Sequence, residues 1–322
     1  MARSDLLVKL VQTGFDNDKT YFSKVVQSII AEEKAMRHLA VAQQLEDSLN
    51  AAREKAQRGL IFVEGAPGCC EATPSLKFSD LTLSEETLAA CRALVEEQRQ
   101  AEMLRACGLE PRNRVLLIGP PGNGKTSLAE AIASELSVPL VVVCYDAVIG
   151  CYLGETAAQL RKVFDYAASQ KCVLFFDEFE TVGKERGDLH ETGEIKRIVS
   201  SLLLQIDALP SGTVAVAATN HPEMLDRAVW RRFQIKIEMP NPDAALLERW
   251  FEAFEKRVGF TLGHTPADLA KRFAGASFSD VSEFGMDVRR RCALEGRGAD
   301  MREIVSQALK SSPADTLFSE NA

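Results

Sequence analysis

"VLLIGPPGNGKTSLAEAIA", Val115–Ala133, changes character twice within one short run. Its opening apolar residues read as a buried strand, its middle as a glycine-rich turn, and its end as a helix with apolar residues at helical spacing. The turn, Gly119–Thr126, fits G-x-x-x-x-G-K-[ST]. Gly119, Gly122 and Gly124 let the backbone curl so that its N–H groups converge on phosphate oxygens. Pro120, Pro121 and Asn123 fill the other loop positions, and Ser127 follows inside the helix. That helix begins near Lys125 and adds its positive end. Lys125 has the reach for the β- and γ-phosphates of ATP, and Thr126 offers a hydroxyl to Mg²⁺.

Working outward, four more apolar runs alternate with helical patterns: "LVVV" (140–143), "CVLFF" (172–176), "TVAVAA" (213–218) and "IKIEM" (235–239). Together with "RVLLI" (114–118) they predict an α/β fold, a parallel sheet with helices on both faces. The runs read as apolar throughout, as strands covered on both sides should be. "CVLFFDEFE" ends its strand in Asp177 and Glu178. Ligands bind at the carboxyl ends of such strands. There Asp177 is expected to hold Mg²⁺, mostly through water. Glu178 is expected to polarise the water that attacks the γ-phosphate. With both carboxylates intact, the pair points to hydrolysis rather than binding alone. Asn220 ends another strand, so its amide reaches the same water. Arg231 and Arg232 follow a short helix, where a guanidinium can serve a neighbouring subunit's γ-phosphate or simply be solvated.

The rest of the chain divides by pattern. Residues 1–58 read as a helical module, with helices expected over 5–13 and about 20–58; its last and longest pattern stops at Gly59. Residues 59–75, rich in Gly and Pro, read as a linker. Residues 76–240 hold the α/β unit, 241–312 a four-helix subdomain, and 313–322 a loose tail. In the helical subdomain Asn241 and Thr265 read as N-caps, each followed by a proline at the first helical position. Ser277 and Asp280 form a capping-box-like pair.

Composition narrows the function classes. The 322-residue chain carries a net charge of −8, which argues against a nucleic-acid partner. No stretch approaches the roughly 20 apolar residues of a membrane span. The eight cysteines form no C-x-x-C pair, and with no apolar leader at the start the reading is a reducing cytoplasm. Cys144 and Cys172 read as small buried hydrophobes, and the adjacent Cys69 and Cys70 as a candidate redox-sensitive pair.

"GPPGNGKT", "LFFDEFE", "ATNHPEMLDRAVWRRF" and "FAGASFSDVSEF" stand in the order and spacing of the AAA ATPases, which this chain resembles over about residues 76–310. The resemblance implies a P-loop NTPase sheet, a C-terminal helical lid, and a ring, commonly a hexamer, with ATP at subunit interfaces. It assigns Arg231 and Arg232 as arginine fingers acting in trans. The family often writes R-x-G-R-F here, so which of the adjacent arginines leads stays open. "GASFSD" has no arginine where some relatives carry a second sensor. The helical start, "GFDNDKTYFSKVVQSIIAEEKAMRHLAVAQQLEDSL", resembles small bacterial AAA proteins encoded beside subtilisin-like serine proteases, some linked to toxin–antitoxin or phage-defence roles.

"CYLGET" (151–156) occupies the position of the family's first pore loop. Tyr152 and Leu153 either pack under the following helix or face a central channel, where an aromatic gives sequence-tolerant grip on polypeptide. Leu160, Val163 and Phe164 already supply that helix with a core face, which favours the channel. His190 is a candidate for a second loop. The expected function is an ATP-driven remodeller of a protein partner or client, with a subtilisin-like protease as one such partner. The alternatives are a nucleotide-switched binding or antitoxin module without threading, and a nucleic-acid-associated ATPase.

Overall fold

A computed structural model describes residues 26, 28–30, 61–63, 66–145, 153–182, 192–295 and 300–310. The chain divides into two units, Met1–Ile61 and Phe62–Ala322. In the first, residues 26 and 28–30 are helical, with Val26, Ile29 and Ile30 buried, and Ile61 opens a strand. The remaining expectations for residues 1–58, the tail 313–322, Tyr152 and His190 lie outside the described residues.

The second unit is built on a seven-stranded sheet ordered β1-β2-β4-β5-β6-β3-β7. The strands are β1 (Ile61–Val63), β2 (Ala66–Ala72), β3 (Arg114–Ile118), β4 (Leu140–Val143), β5 (Val173–Phe176), β6 (Val214–Thr219) and β7 (Ile235–Glu238). All five expected strands form within one residue of their expected ends. From β4 to β7 every pairing is parallel. β3, β4, β5 and β6 are buried almost throughout, as strands covered on both faces require.

Three local expectations need correction. The stretch read as a linker contains β2, which pairs antiparallel with β4, Cys69 opposite Val143 and Ala72 opposite Leu140. Cys69 and Cys70 bury small apolar side chains in the sheet, and Pro67 and Gly68 lie within the strand rather than marking a tether. β7 alternates, with Ile235 and Ile237 buried and Lys236 and Glu238 exposed. It is the outer strand beside β3, and alternation is the pattern of a strand with one covered face. Finally, Asp243, not Asn241, caps its helix, accepting from Leu246 N at 2.8 Å. Pro242 therefore lies outside the helix.

The described helices of this unit are α1 (Glu85–Arg99), α2 (Ala101–Ala106), α3 (Lys125–Leu136), α4 (Leu153–Ala168), α5 (Thr192–Ala208), α6 (Arg227–Arg232), α7 (Ala244–Val258), α8 (Pro266–Arg272), α9 (Phe278–Glu295) and α10 (Met301–Lys310). Leu153 opens α4, so the turn-like reading of "CYLGET" ends at that residue. Leu160, Val163 and Phe164 face the core from α4 as expected. α7–α10 form the four-helix subdomain with its own core, in which Phe251, Phe273 and Phe284 meet at centroid distances of 5.0–6.2 Å. Thr265 and the Ser277–Asp280 pair cap α8 and α9 as read.

Several of the cysteines are buried. Cys144 and Cys172 are buried as expected. Cys69 and Cys70 are fully buried in β2, and burial pushes the Cys69 thiol up to about 12. A thiol held protonated at neutral pH is a poor nucleophile, so the redox reading of Cys69 loses its chemical basis. Among the described residues, no helix is long and apolar enough to cross a membrane.

Candidate nucleotide site

The carboxyl ends of β3, β5 and β6 converge. Ile118 lies opposite Thr219, and Phe176 opposite Ala217. The next residues along each strand are Gly119, Asp177 and Asn220, so the sheet register alone brings the phosphate loop, the acidic pair and the asparagine to one edge.

Gly119 donates its N–H to Thr219 O at 3.2 Å. A Cβ there would fall 2.1 Å from the Met239 carbonyl oxygen, so no larger residue fits between β3 and the chain leaving β7. Lys125 is buried, and its ammonium curls over the loop to donate to Gly119 O at 2.7 Å and Pro120 O at 2.8 Å. Burial holds its pKa below the usual lysine value, with Asp177 and Glu180 pulling the other way. Pro120, Gly124 and Ser127 are half-buried, while Pro121 and Gly122 are exposed at the loop's crest.

Thr126 Oγ1 donates to Asp177 Oδ2 at 3.2 Å. These hard oxygen donors fit Mg²⁺, which binds one or two protein oxygens and completes its shell with phosphate and water. Asp177 also accepts the Glu178 N–H through Oδ1 at 3.0 Å. Glu178 is exposed and has φ +46°. Left-handed backbone at a non-glycine is costly and concentrates at functional positions. Here it ends β5 and swings the carboxylate out of line with the strand.

Two residues outside the expected set complete this corner. Glu180 is buried, and its Oε1 accepts the Asn220 N–H at 3.2 Å, tying the asparagine to the acidic turn. Tyr145 follows β4 and brings a buried hydroxyl to the same edge. Both had signals in the sequence: a second glutamate closing "DEFE", and an aromatic directly after "LVVVC".

Asn123 does more than fill a loop position. It is buried, and its side chain turns away from the loop interior toward the lid. Nδ2 donates to Asn241 Oδ1 at 2.9 Å, and Oδ1 accepts the Phe278 N–H at 3.3 Å. Asn241 in turn donates to Gly275 O at 2.9 Å, and Ser279 N–H donates to Gly122 O at 2.9 Å. The phosphate loop and the start of α9 are thus directly bonded. This explains why Asn241 is not a helix cap: its amide is committed to the latch.

The arginine pair separates. Arg232 donates to Asp207 Oδ2 at 2.7 Å and to Ala228 O at 3.3 Å, within its own chain. Asp207 is shared with Arg114. Arg231 is exposed and makes no ion pair or hydrogen bond among the described residues. A line of aromatic contacts joins these parts. Phe164 of α4 meets Phe176 at 5.9 Å, Phe176 meets Phe179 at 5.8 Å, and Phe179 meets Phe233 beside α6 at 5.8 Å.

A parallel sheet with this phosphate loop, an acidic pair one strand over and a bonded helical lid defines a P-loop ATPase. Residues 115–241 match the family model described as the ATPase family associated with various cellular activities. An uncharacterized AAA family ATPase, y4kL of Sinorhizobium fredii, is 35% identical over 96% of this chain and 95% of its own length. A putative 26S proteasome regulatory subunit homolog of Methanocaldococcus jannaschii is 30% identical over 73% of this chain and 63% of its own. The peroxisomal ATPase pex6 of Schizosaccharomyces pombe is 32% identical over 94% of this chain but 28% of its own. The chain belongs to the AAA family, and it is an ATPase.

Proposed function

We propose that this ATPase works as a ring that uses ATP turnover to remodel a protein client. In this reading Thr126 and Asp177 hold Mg²⁺, Lys125 leaves the loop carbonyls for the phosphates, and Glu178 and Asn220 orient the attacking water. Arg231 is the guanidinium offered to a neighbouring subunit, because Arg232 is already committed to Asp207 in its own chain. Tyr152 and Leu153 grip polypeptide, and residues 1–58 choose the partner.

The observation that carries the reading is the aromatic line Phe164–Phe176–Phe179–Phe233. Its first member lies on α4, the helix that opens at Leu153. Its middle flanks Asp177 and Glu178, and its last member follows Arg232. Packed side chains of this kind transmit displacement because the interior does not compress. Changes at the hydrolytic carboxylates and at the arginine helix would then reach the segment that follows β4. The names of two relatives, a proteasome regulatory subunit homolog and a peroxisomal ATPase, favour protein over nucleic acid as the object of the work.

The test is polypeptide-stimulated turnover. Casein, as an unfolded probe, is expected to raise the ATPase rate, and Tyr152→Ala to abolish that stimulation. Stimulation that survives the substitution removes the threading role. Stimulation by DNA instead, falling steeply with salt, would transfer the site to the nucleic-acid class. The narrower form of the proposal is a subtilisin-like protease partner in a toxin–antitoxin or phage-defence pair. It is supported by the helical start alone, and co-purification with Glu178→Gln in ATP checks it.

A further inference from the structure

Three of the six buried side-chain atoms that find no hydrogen-bond partner among the described residues lie at one corner: Tyr145 Oη, Glu180 Oε2 and Asn220 Oδ1. Buried polar atoms are nearly always partnered, because an unmade bond leaves the desolvation cost uncompensated. Chance would not gather half of the exceptions at the carboxyl ends of β4, β5 and β6.

The register explains the meeting. β4 runs parallel to β5 with Val142 opposite Phe175. Tyr145 follows β4, Glu180 follows β5 and Asn220 directly follows β6, so all three leave the sheet at the same carboxyl edge. Burial above all, and then the carboxylates of Asp177, Glu180 and Glu178, hold the phenol protonated. At any working pH Tyr145 is therefore an O–H donor, and the other two orphan atoms, one on a carboxylate and one on an amide, are acceptors. A water accepts from one group and donates to two. That stoichiometry matches one orphan donor and two orphan acceptors.

We propose that Tyr145 and Glu180 are positioning residues for ATP hydrolysis: with Asn220 they hold an ordered water that fixes the asparagine amide beside Glu178. This rests on the reading of Glu178 and Asn220 as hydrolytic groups. Tyr145 acts through that water and does not touch the nucleotide.

Tyr145→Phe removes only the hydroxyl. If Tyr145 were core packing, deleting an unpartnered buried hydroxyl would leave turnover unchanged. The expected result is a fall in kcat of roughly tenfold, below the ~10²-fold that misplaced reacting groups can cost. KM for ATP is expected to hold, and the nucleotide-free protein to melt slightly lower than wild type, because the hydroxyl's bond to the water is lost. A non-hydrolysable ATP analogue should raise the melting temperature of both proteins equally. Glu180→Gln should lower kcat in the same way, and the double variant should fall no further than the weaker single one, because both act on one water. An unchanged kcat, a risen KM or fully additive losses would each overturn the proposal. If Glu178→Gln keeps wild-type turnover, the hydrolytic site itself is misassigned, and the proposal falls with it.

Discussion

The phosphate loop and the carboxylate corner face each other across the ends of β3, β5 and β6, and they settle their polar groups in opposite ways. On the loop side the ammonium of Lys125 sits on two carbonyls, Gly119 is bonded to β6, and Asn123 has partners for both ends of its amide. On the carboxylate side Tyr145, Glu180 and Asn220 each keep a buried atom unpartnered, and Glu178 holds a left-handed backbone. The binding loop is finished by its own backbone and by the lid. Strain and unmade bonds collect where hydrolysis is proposed to occur, the usual place for a fold to tolerate them.

The sharpest way to test that contrast is to separate binding from hydrolysis. Glu178→Gln keeps the side chain's size and removes its charge. Turnover should fall by about 10²–10³-fold, within the range for losing a positioned base, while equilibrium ATP binding persists. Loss of binding in this variant would mean that the two sides are not independent.

A smaller effect is expected from Asn123→Ala, which strikes the finished side. It removes the acceptor of the half-buried Phe278 N–H and the donor to the exposed Asn241 Oδ1, at the net cost of ordinary hydrogen bonds, roughly 0.5–1.5 kcal/mol each. Chemical denaturation measures this directly. Because the latch joins the loop to α9, ATP affinity should also weaken. A variant as stable as wild type would show that the lid is held by its apolar contacts alone.

Much of this contrast was legible before any coordinates. The five parallel strands, the phosphate loop and Asp177–Glu178 are written as local patterns, four apolar runs and one alternating run. Glycine at 119 follows from the same motif, though its steric reason, the Met239 carbonyl, does not. What escaped depends on pairs distant in sequence. Asn123 reads as a loop residue because its partners are Asn241 and Phe278. β2 reads as a linker because Pro67 and Gly68 lie inside it and its partner, β4, is distant in sequence. Arg231 and Arg232 are indistinguishable until Asp207, on α5, claims one of them. Tyr145 and Glu180 look like a stray aromatic and a solvated carboxylate until the parallel pairing of β4 and β5 brings both chain exits to one edge, where each keeps a buried atom unpartnered.

The smallest expected effect probes the cost of finishing the loop side in advance. Burial lowers the Lys125 pKa in the folded chain below its ordinary 10.5. Between the lowered value and 10.5 the unfolded chain binds more protons than the folded one, so stability rises with pH across that window. Below it, the burial penalty on the charged ammonium is present in full. Lys125→Met removes the titration while keeping most of the apolar length. The stability of wild type relative to Lys125→Met should therefore be flat near neutrality and climb in favour of wild type as pH approaches 10.5. Denaturation midpoints across that range measure the difference. Parallel curves throughout would mean that the two carbonyls under the ammonium, with Asp177 and Glu180 nearby, compensate its burial completely. The loop side would then hold its charge without strain, and the contrast with the carboxylate corner would be wider than the burial of Lys125 suggests.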